Sequence, residues 1–306
     1  MCRQTCATIA SPERCTVEAY NVTKRPFRFG ISGRGETLQQ WRDFARKAED
    51  LGYASLDLPD HFAHQFAPLI ALGVAAQATS TIRFATTMMC NDFRHPVMLA
   101  KEAATLDVLS DGRFELGLGT GSQPRDNVMS GIPEDPAGKK VERLTETIDI
   151  LRAHFSDAER VDYPGKHYQV SDLEAYPKPV QKPLPIMLGA RGDRMLRLAA
   201  READIIGVMA NDAGPDLAAK MSVVRESAGD RYDQIEFTQL YFNVQVDGQP
   251  SEGVAAQPRQ PNLVGSRDQI VDRLQQLRED HDVSYIMVIG PVMDVFAPVV
   301  AELAGQ

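Results

Sequence analysis

Asp60 and His61 stand side by side just past the apolar run Leu56-Asp57-Leu58, and they are the first residues in the chain whose types suggest chemistry. An imidazole titrates near neutral pH and can give or take a proton, while an adjacent carboxylate can orient it or bond the polar edge of a ring. Pro59 brings no N–H to a strand ladder, so it should end a strand there and leave the pair exposed at the strand's edge. The same two residues also suit a loop that makes only local hydrogen bonds, and the rest of the chain has to decide between these readings.

Three further stretches carry chemical possibilities. Gly117-Leu118-Gly119-Thr120-Gly121 falls short of a dinucleotide fingerprint because its third glycine comes one residue early. Alternating glycines on a strand clear space either for a bulky planar group or for tight packing against another backbone, and both readings stand. In Gly189-Ala190-Arg191-Gly192-Asp193 a strand passes into a helix, where free N–H groups and Arg191 could hold a phosphate. The alternative there is a surface Arg191 above a helix capped by Asp193. In Asn91-Asp92-Phe93-Arg94-His95-Pro96, Pro96 starts a helix and sets His95 extended, while Arg94 is placed to pair with a carboxylate.

Other catalytic or metal patterns are missing from the sequence. His64, His154, His167 and His281 have no ligand spacing, Cys2, Cys6, Cys15 and Cys90 form no paired C-x-x-C, and no G-x-S-x-G occurs. Cys90 follows an apolar strand and reads as a packed or pocket-lining thiol.

These stretches need elements to hold them. The chain has 306 residues, 43% hydrophobic and 25% charged, enough for one barrel-sized domain. With 33 basic against 42 acidic residues, a net charge of -9 and no basic run, nucleic acid and anionic membrane are not expected partners. No apolar run is long enough to span a bilayer and no secretory h-region opens the chain, so a cytoplasmic protein acting on a small molecule is expected. Residues 1–25 lack any period and read as a flexible leader; residues 26–306 read as the domain.

Within that domain, strands are predicted over 27–31, 54–58, 82–88, 113–119, 184–188, 204–208, 235–246 and 285–289. Helical stripes lie between them, among them Leu38, Trp41, Phe44, Ala45, Ala48 and Leu51 behind a Thr37/Gln40 capping box. A second capping box, Ser266/Gln269, precedes the stripe Ile270, Leu274 and Leu277. Residues 156–183 and 247–261 show no regular pattern. Eight strands each followed by a helix predict an α/β fold of the (β/α)8 TIM-barrel class, with insertions at the C-terminal face. Active sites of such barrels sit at the C-terminal ends of the strands, where all the stretches above fall.

Residues 27 to about 290 resemble the bacterial luciferase-like monooxygenase superfamily, in its branch of oxidoreductases that use the deazaflavin coenzyme F420. The likeness is carried, in the family's order, by Leu58-Pro59-Asp60-His61-Phe62, by 91–96, by Ala103-Ala104-Thr105-Leu106-Asp107-Val108-Leu109-Ser110-Asp111-Gly112-Arg113, by 115–121 and by 189–192. It implies that Asp60 and His61 meet the deazaflavin ring, with His61 as proton donor or hydrogen-bonding group near its reactive carbon. It implies also that Thr87 and Met88 form a non-prolyl cis peptide behind the ring, with Met89 beside them. Thr120 and Gly121 match positions next to the ring or its side chain, and Ala190, Arg191 and Gly192 match a phosphate-binding turn. Some sugar-phosphate dehydrogenases of the branch place a Glu after that Thr-Gly; here the residue is Ser122. A reductase that moves hydride to a C=C, C=N or C=O bond of a small metabolite is therefore expected, as a homodimer. Flavin-using relatives share most of these segments, so FMN with monooxygenase chemistry is the alternative, and a non-catalytic flavin-binding barrel is a third reading. Substrate choice is expected in 62–67, 122–137, 156–183 and 247–262.

Overall fold

Thr37 and Gln40 open the first helix by the reciprocal bonds of a capping box. The Gln40 N–H donates to Thr37 Oγ1 at 3.2 Å, and Gln40 Oε1 accepts from the Thr37 N–H at 3.2 Å. Helix α1 (Leu38–Asp50) buries Trp41, Ala45 and Ala48, with Phe44 and Leu51 packed on the same core, while Leu38 stays exposed. Gly52, in the left-handed region at φ 81°, lets the chain turn back into the next strand.

That unit repeats through a computed structural model that describes residues 24–121, 123–208, 215–250 and 262–306. Strands β1 (Arg28–Ser32), β2 (Ser55–Leu58), β3 (Arg83–Thr86), β4 (Phe114–Gly119), β5 (Ile186–Ala190), β6 (Ile205–Val208), β7 (Glu236–Tyr241) and β8 (Val283–Ile289) pair in parallel, each with the next. β8 also pairs with β1, Arg28 opposite Tyr285, which closes the barrel the sequence predicts. Around it stand α1, α2 (Pro68–Ala76), α3 (Pro96–Leu109), α4 (Pro124–Ser130), α5 (Ala137–Phe155), α6 (Asp193–Glu202), α7 (Pro215–Ala228), α8 (Arg267–His281) and α9 (Met293–Leu303). Ser266 and Gln269 form the second capping box, on α8. No helix among the described residues is long and apolar enough to cross a membrane.

Side chains alternate between two cores. Those facing the helices, such as Phe29, Ile31, Leu56, Phe84 and Leu116, form the main hydrophobic layer, and Ala85, Met187, Ile205, Tyr285 and Met287 fill the barrel interior. The interior is polar at the strands' N-terminal end. Arg28 bonds Glu115 and Glu236 at 2.7 Å each and lies 3.7 Å over the Tyr285 ring, and Arg83 adds a bond to Glu115 at 2.6 Å. Burial would raise the Glu115 carboxyl, but the two guanidinium groups outweigh it and hold that carboxyl below its ordinary range.

Three local expectations are corrected. The strand expected over 235–246 breaks after Tyr241: β7 stays in the barrel, whereas Asn243–Val246 pairs in parallel with Asn262–Gly265 and buries Val244 and Val246 beside Leu263. The irregular stretch 156–183 contains an antiparallel hairpin, Arg160–Pro164 with Gln169–Glu174. The strand expected over 82–88 ends at Thr86, and a two-residue strand, Met89–Cys90, resumes pairing with β4 beyond a bend. Of the segment expected to be irregular over 247–261, residues 251–261 lie outside the described residues, as do 1–23 of the expected leader.

Candidate active site

β2 delivers Asp60 and His61 to the barrel mouth, but the two side chains part company there. Asp60 is buried, contrary to its expected exposure, because Arg94 and a backbone N–H neutralise and bond it. Its Oδ2 accepts from Arg94 Nη1 at 2.6 Å and from the Cys90 N–H at 3.1 Å, and its Oδ1 accepts from Arg94 Nη2 at 3.3 Å. The pairing foreseen for Arg94 is thus with Asp60. It ties the loop after β2 to the end of the neighbouring strand.

His61 turns instead to Asp126. Its Nδ1 lies 2.7 Å from Asp126 Oδ2, and the Phe62 N–H donates to Asp126 Oδ1 at 3.3 Å. Asp126 is 6% exposed and comes from the first turn of α4, which Pro124 opens and Gly131, left-handed at φ 71°, closes. Asp126 was not among the residues singled out from the sequence. The marker was present, since a proline followed two residues later by an acid is a helix start.

The bend after β3 holds the next group. The Thr87–Met88 peptide is cis, as the resemblance implies. The Thr87 N–H donates to the Leu58 carbonyl at 2.9 Å and its hydroxyl donates to Asp57 Oδ1 at 2.5 Å. Asp57 is wholly buried inside the barrel, and its Oδ2 has no hydrogen bond of good geometry among the described residues. Burial pushes its carboxyl up to about 7 against the pull of the Thr87 and Ser32 hydroxyls.

Met88 packs among the strand glycines. A Cβ on Gly207 would lie 3.1 Å from the Met88 side chain, one on Gly189 3.2 Å and one on Gly119 3.5 Å, while one on Gly117 would run into the Thr86 carbonyl. Gly117 takes the close-packing reading, while a Cβ on Gly119 would make only ordinary contact with Met88, so there both readings stand. The glycines surround Met88 and the bent backbone below the mouth. Met89 faces the other way and is fully buried in the main core, so its side chain is not at the mouth. Cys90 is a packed thiol, pushed by burial up to about 11. A Cβ on Gly121 would meet its Sγ at 2.8 Å. Thr120 and Gly121 are half-buried at the end of β4; Ser122 lies outside the described residues.

Across the mouth, Gly189 faces the interior and Ala190 is buried under the helices, leaving only the Ala190 backbone for a ligand. Asp193 does not cap α6. Gly192 is the N-cap and brings no side chain to the first turn, and a Cβ on Gly192 would meet nothing within 4 Å. Arg191 is exposed beside this open helix end. Other histidines have local duties: His95 caps α3 by accepting from the Val97 N–H at 3.3 Å, and His167 meets Glu142 at 3.2 Å.

The model of the luciferase-like monooxygenase family matches residues 22–257. The chain belongs to this family. Among its curated relatives is the F420-dependent glucose-6-phosphate dehydrogenase of Microbacterium testaceum, 35% identical over 189 residues, which are 58% of this chain and 55% of that one. The chain thus spans about half the length of that relative. The fold is shared with the coenzyme F420-dependent tetrahydromethanopterin reductase of Methanopyrus kandleri, at a TM-score of 0.78 and 20% identity over 91% of this chain and 100% of that one. It is shared equally with a long-chain alkane monooxygenase, at a TM-score of 0.78 and 14% identity over 91% of each chain. Luciferase-like barrels with different named reactions therefore have this architecture in common, and the side chains at the mouth have to distinguish them.

Proposed function

We propose that this luciferase-like barrel is an F420-dependent oxidoreductase, working as a reductase on a C=C, C=N or C=O bond of a small metabolite. The observation that carries the reading is the mouth itself, where one strand end presents a half-exposed imidazole bonded to a buried carboxylate and another leads into a helix N-terminus that opens at Gly192 beside exposed Arg191. The relative named as an F420-dependent dehydrogenase supports the choice of coenzyme.

The residues fit a ring that carries an anionic tail. The open end of α6, with clear space above Gly192, offers N–H groups to a phosphate, and Arg191 adds charge. Thr120, Gly121 and the backbone of Thr87 and Met88 are assigned to the ring, above an interior already filled by the Met88 side chain. Asp60 acts there through Arg94 and the strand end it fixes. When bound in reduced form, the deazaflavin supplies hydride to an electron-poor double bond. His61 then supplies the matching proton, and its bond to Asp126 keeps the ring in place while it does so. Ser122 stands where the resemblance puts an acid in sugar-phosphate dehydrogenases, so sugar-phosphate oxidation is not proposed. The expected homodimer belongs to the same proposal, and Ile70 on α2 with Met98 and Leu109 on α3 are exposed apolar side chains it would cover.

Separate titrations of the purified protein with oxidised F420 and with FMN, followed by fluorescence quenching or calorimetry, test the coenzyme. Tight binding of F420 with weak binding of FMN is the expected result. Selective FMN binding would move the protein to the monooxygenase reading, and binding of neither would overturn both coenzyme assignments.

A further inference from the structure

The ring of His61 has two nitrogens, and the structure engages one of them with a carboxylate that the sequence gives no reason to pair with it. We propose that Asp126 is the positioning residue for proton transfer: it holds the His61 ring and keeps the hydrogen on Nδ1, so that Nε2 is the atom that exchanges protons with substrate. This inference rests on the reductase reading and adds the residue that sets the geometry of its proton donor.

Three observations support it. First, both Asp126 oxygens serve one dipeptide, Oδ2 taking the His61 ring at 2.7 Å and Oδ1 the Phe62 N–H at 3.3 Å, which fixes the imidazole relative to its own backbone. Second, an ionised carboxylate only accepts hydrogen bonds, so Nδ1 must be the donor and the unprotonated position of the neutral ring is Nε2. Third, the sequence neighbour cannot do this work, because Asp60 is bound by Arg94 and the Cys90 N–H. Asp126 is itself buried, and a buried carboxylate without partners is strongly disfavoured, so its position is tied to these two contacts. In each turnover the Nε2–H bond of the imidazolium breaks and its electron pair stays on nitrogen. The proton goes to the substrate atom left electron-rich by hydride addition, and water restores the proton to the half-exposed ring.

The test replaces the carboxylate by its isostere. In Asp126→Asn the amide can donate to Nδ1, which permits the opposite tautomer. The ¹⁵N shifts of His61 in the coenzyme-free protein should change from the Nδ1–H pattern toward the Nε2–H pattern. In the loaded enzyme kcat should fall on the order of 10²-fold, with KM and the coenzyme Kd within about threefold of wild type. Asp126→Glu keeps an acceptor-only group and should retain the wild-type tautomer and recover much of kcat. Unchanged ¹⁵N shifts in Asp126→Asn overturn the inference, as does a Glu variant with the wild-type tautomer that turns over no faster than the Asn variant. Should the Asn variant fail to fold, the Glu variant decides against wild type: Nδ1–H shifts with kcat within about tenfold of wild type support the inference, and a loss on the order of 10²-fold despite those shifts overturns it. A wild-type protein that binds no deazaflavin would refute the reductase reading, while the shifts of the coenzyme-free protein would still decide the role of Asp126.

Discussion

Asp57 holds a carboxyl inside the barrel whose folded-state pKa, about 7, lies above its ordinary value of 3.8. Folding therefore favours its protonated form. The stability this contributes is complete below the ordinary value and is lost as pH rises through 7, where a charge must be carried in the buried interior. Asp57→Asn keeps an acceptor for the Thr87 hydroxyl and carries no charge. It should leave Tm nearly unchanged near pH 4 and raise it at pH 8, by a free energy of up to about 4 kcal/mol. A variant that is less stable than wild type at pH 8 would show that the ionised group is matched by its surroundings. His61→Ala probes the mouth rather than the interior. It should lower kcat on the order of 10²-fold while sparing coenzyme affinity, and unchanged steady-state rates would remove His61 from the mechanism. The sequence was a good guide to which residues reach the mouth and a poor one to their partners. Asp60 and His61 are adjacent in the chain, yet successive side chains diverge at a strand end, and each found its partner at least 30 positions away.

At the scale of elements, strand β4 shows what a glycine pattern can and cannot say. Its glycines marked a close approach from sequence alone, but what approaches is Met88 and the Thr86 carbonyl, and neither contact leaves a trace in a linear pattern. The two kinds of contact should differ in their tolerance of a methyl group. Gly117→Ala sets a Cβ against backbone on β3, which cannot yield without moving the strand, so a loss of about 3 kcal/mol or more is expected. Gly207→Ala meets the flexible end of Met88 at 3.1 Å and should cost much less. Urea midpoints of the two variants provide the comparison, and equal losses would mean that Met88 is as rigid as the strand. The missed hairpin has a different cause: Arg160–Pro164 and Gln169–Glu174 bury only Val161 and Val170, so no apolar alternation announces them, although Pro164-Gly165 is a turn signal. The opposite failure occurred at 235–246, where apolar residues continue without a breaker while the pairing partner changes.

For the molecule as a whole, repetition made the barrel legible: eight strand signals with capped helices between them admit few other closures, and closure places every strand end at one mouth. Charge is the other property read at this scale. At -9 the chain repels an anionic ligand over distances up to the screening length, about 10 Å at 0.1 M salt. The proposed coenzyme carries an anionic tail, so its binding needs a local positive field, which the open end of α6 and Arg191 are in position to supply. Removing Arg191 leaves the background repulsion less opposed. In low salt Arg191→Ala should weaken F420 binding by about tenfold, because one charge-assisted contact is lost where screening is least. As salt rises, the wild-type affinity should fall while that of the variant stays flat or improves, and the two curves should converge. Curves that remain parallel from low to high salt would place the anionic tail elsewhere on the mouth and free Arg191 from the site.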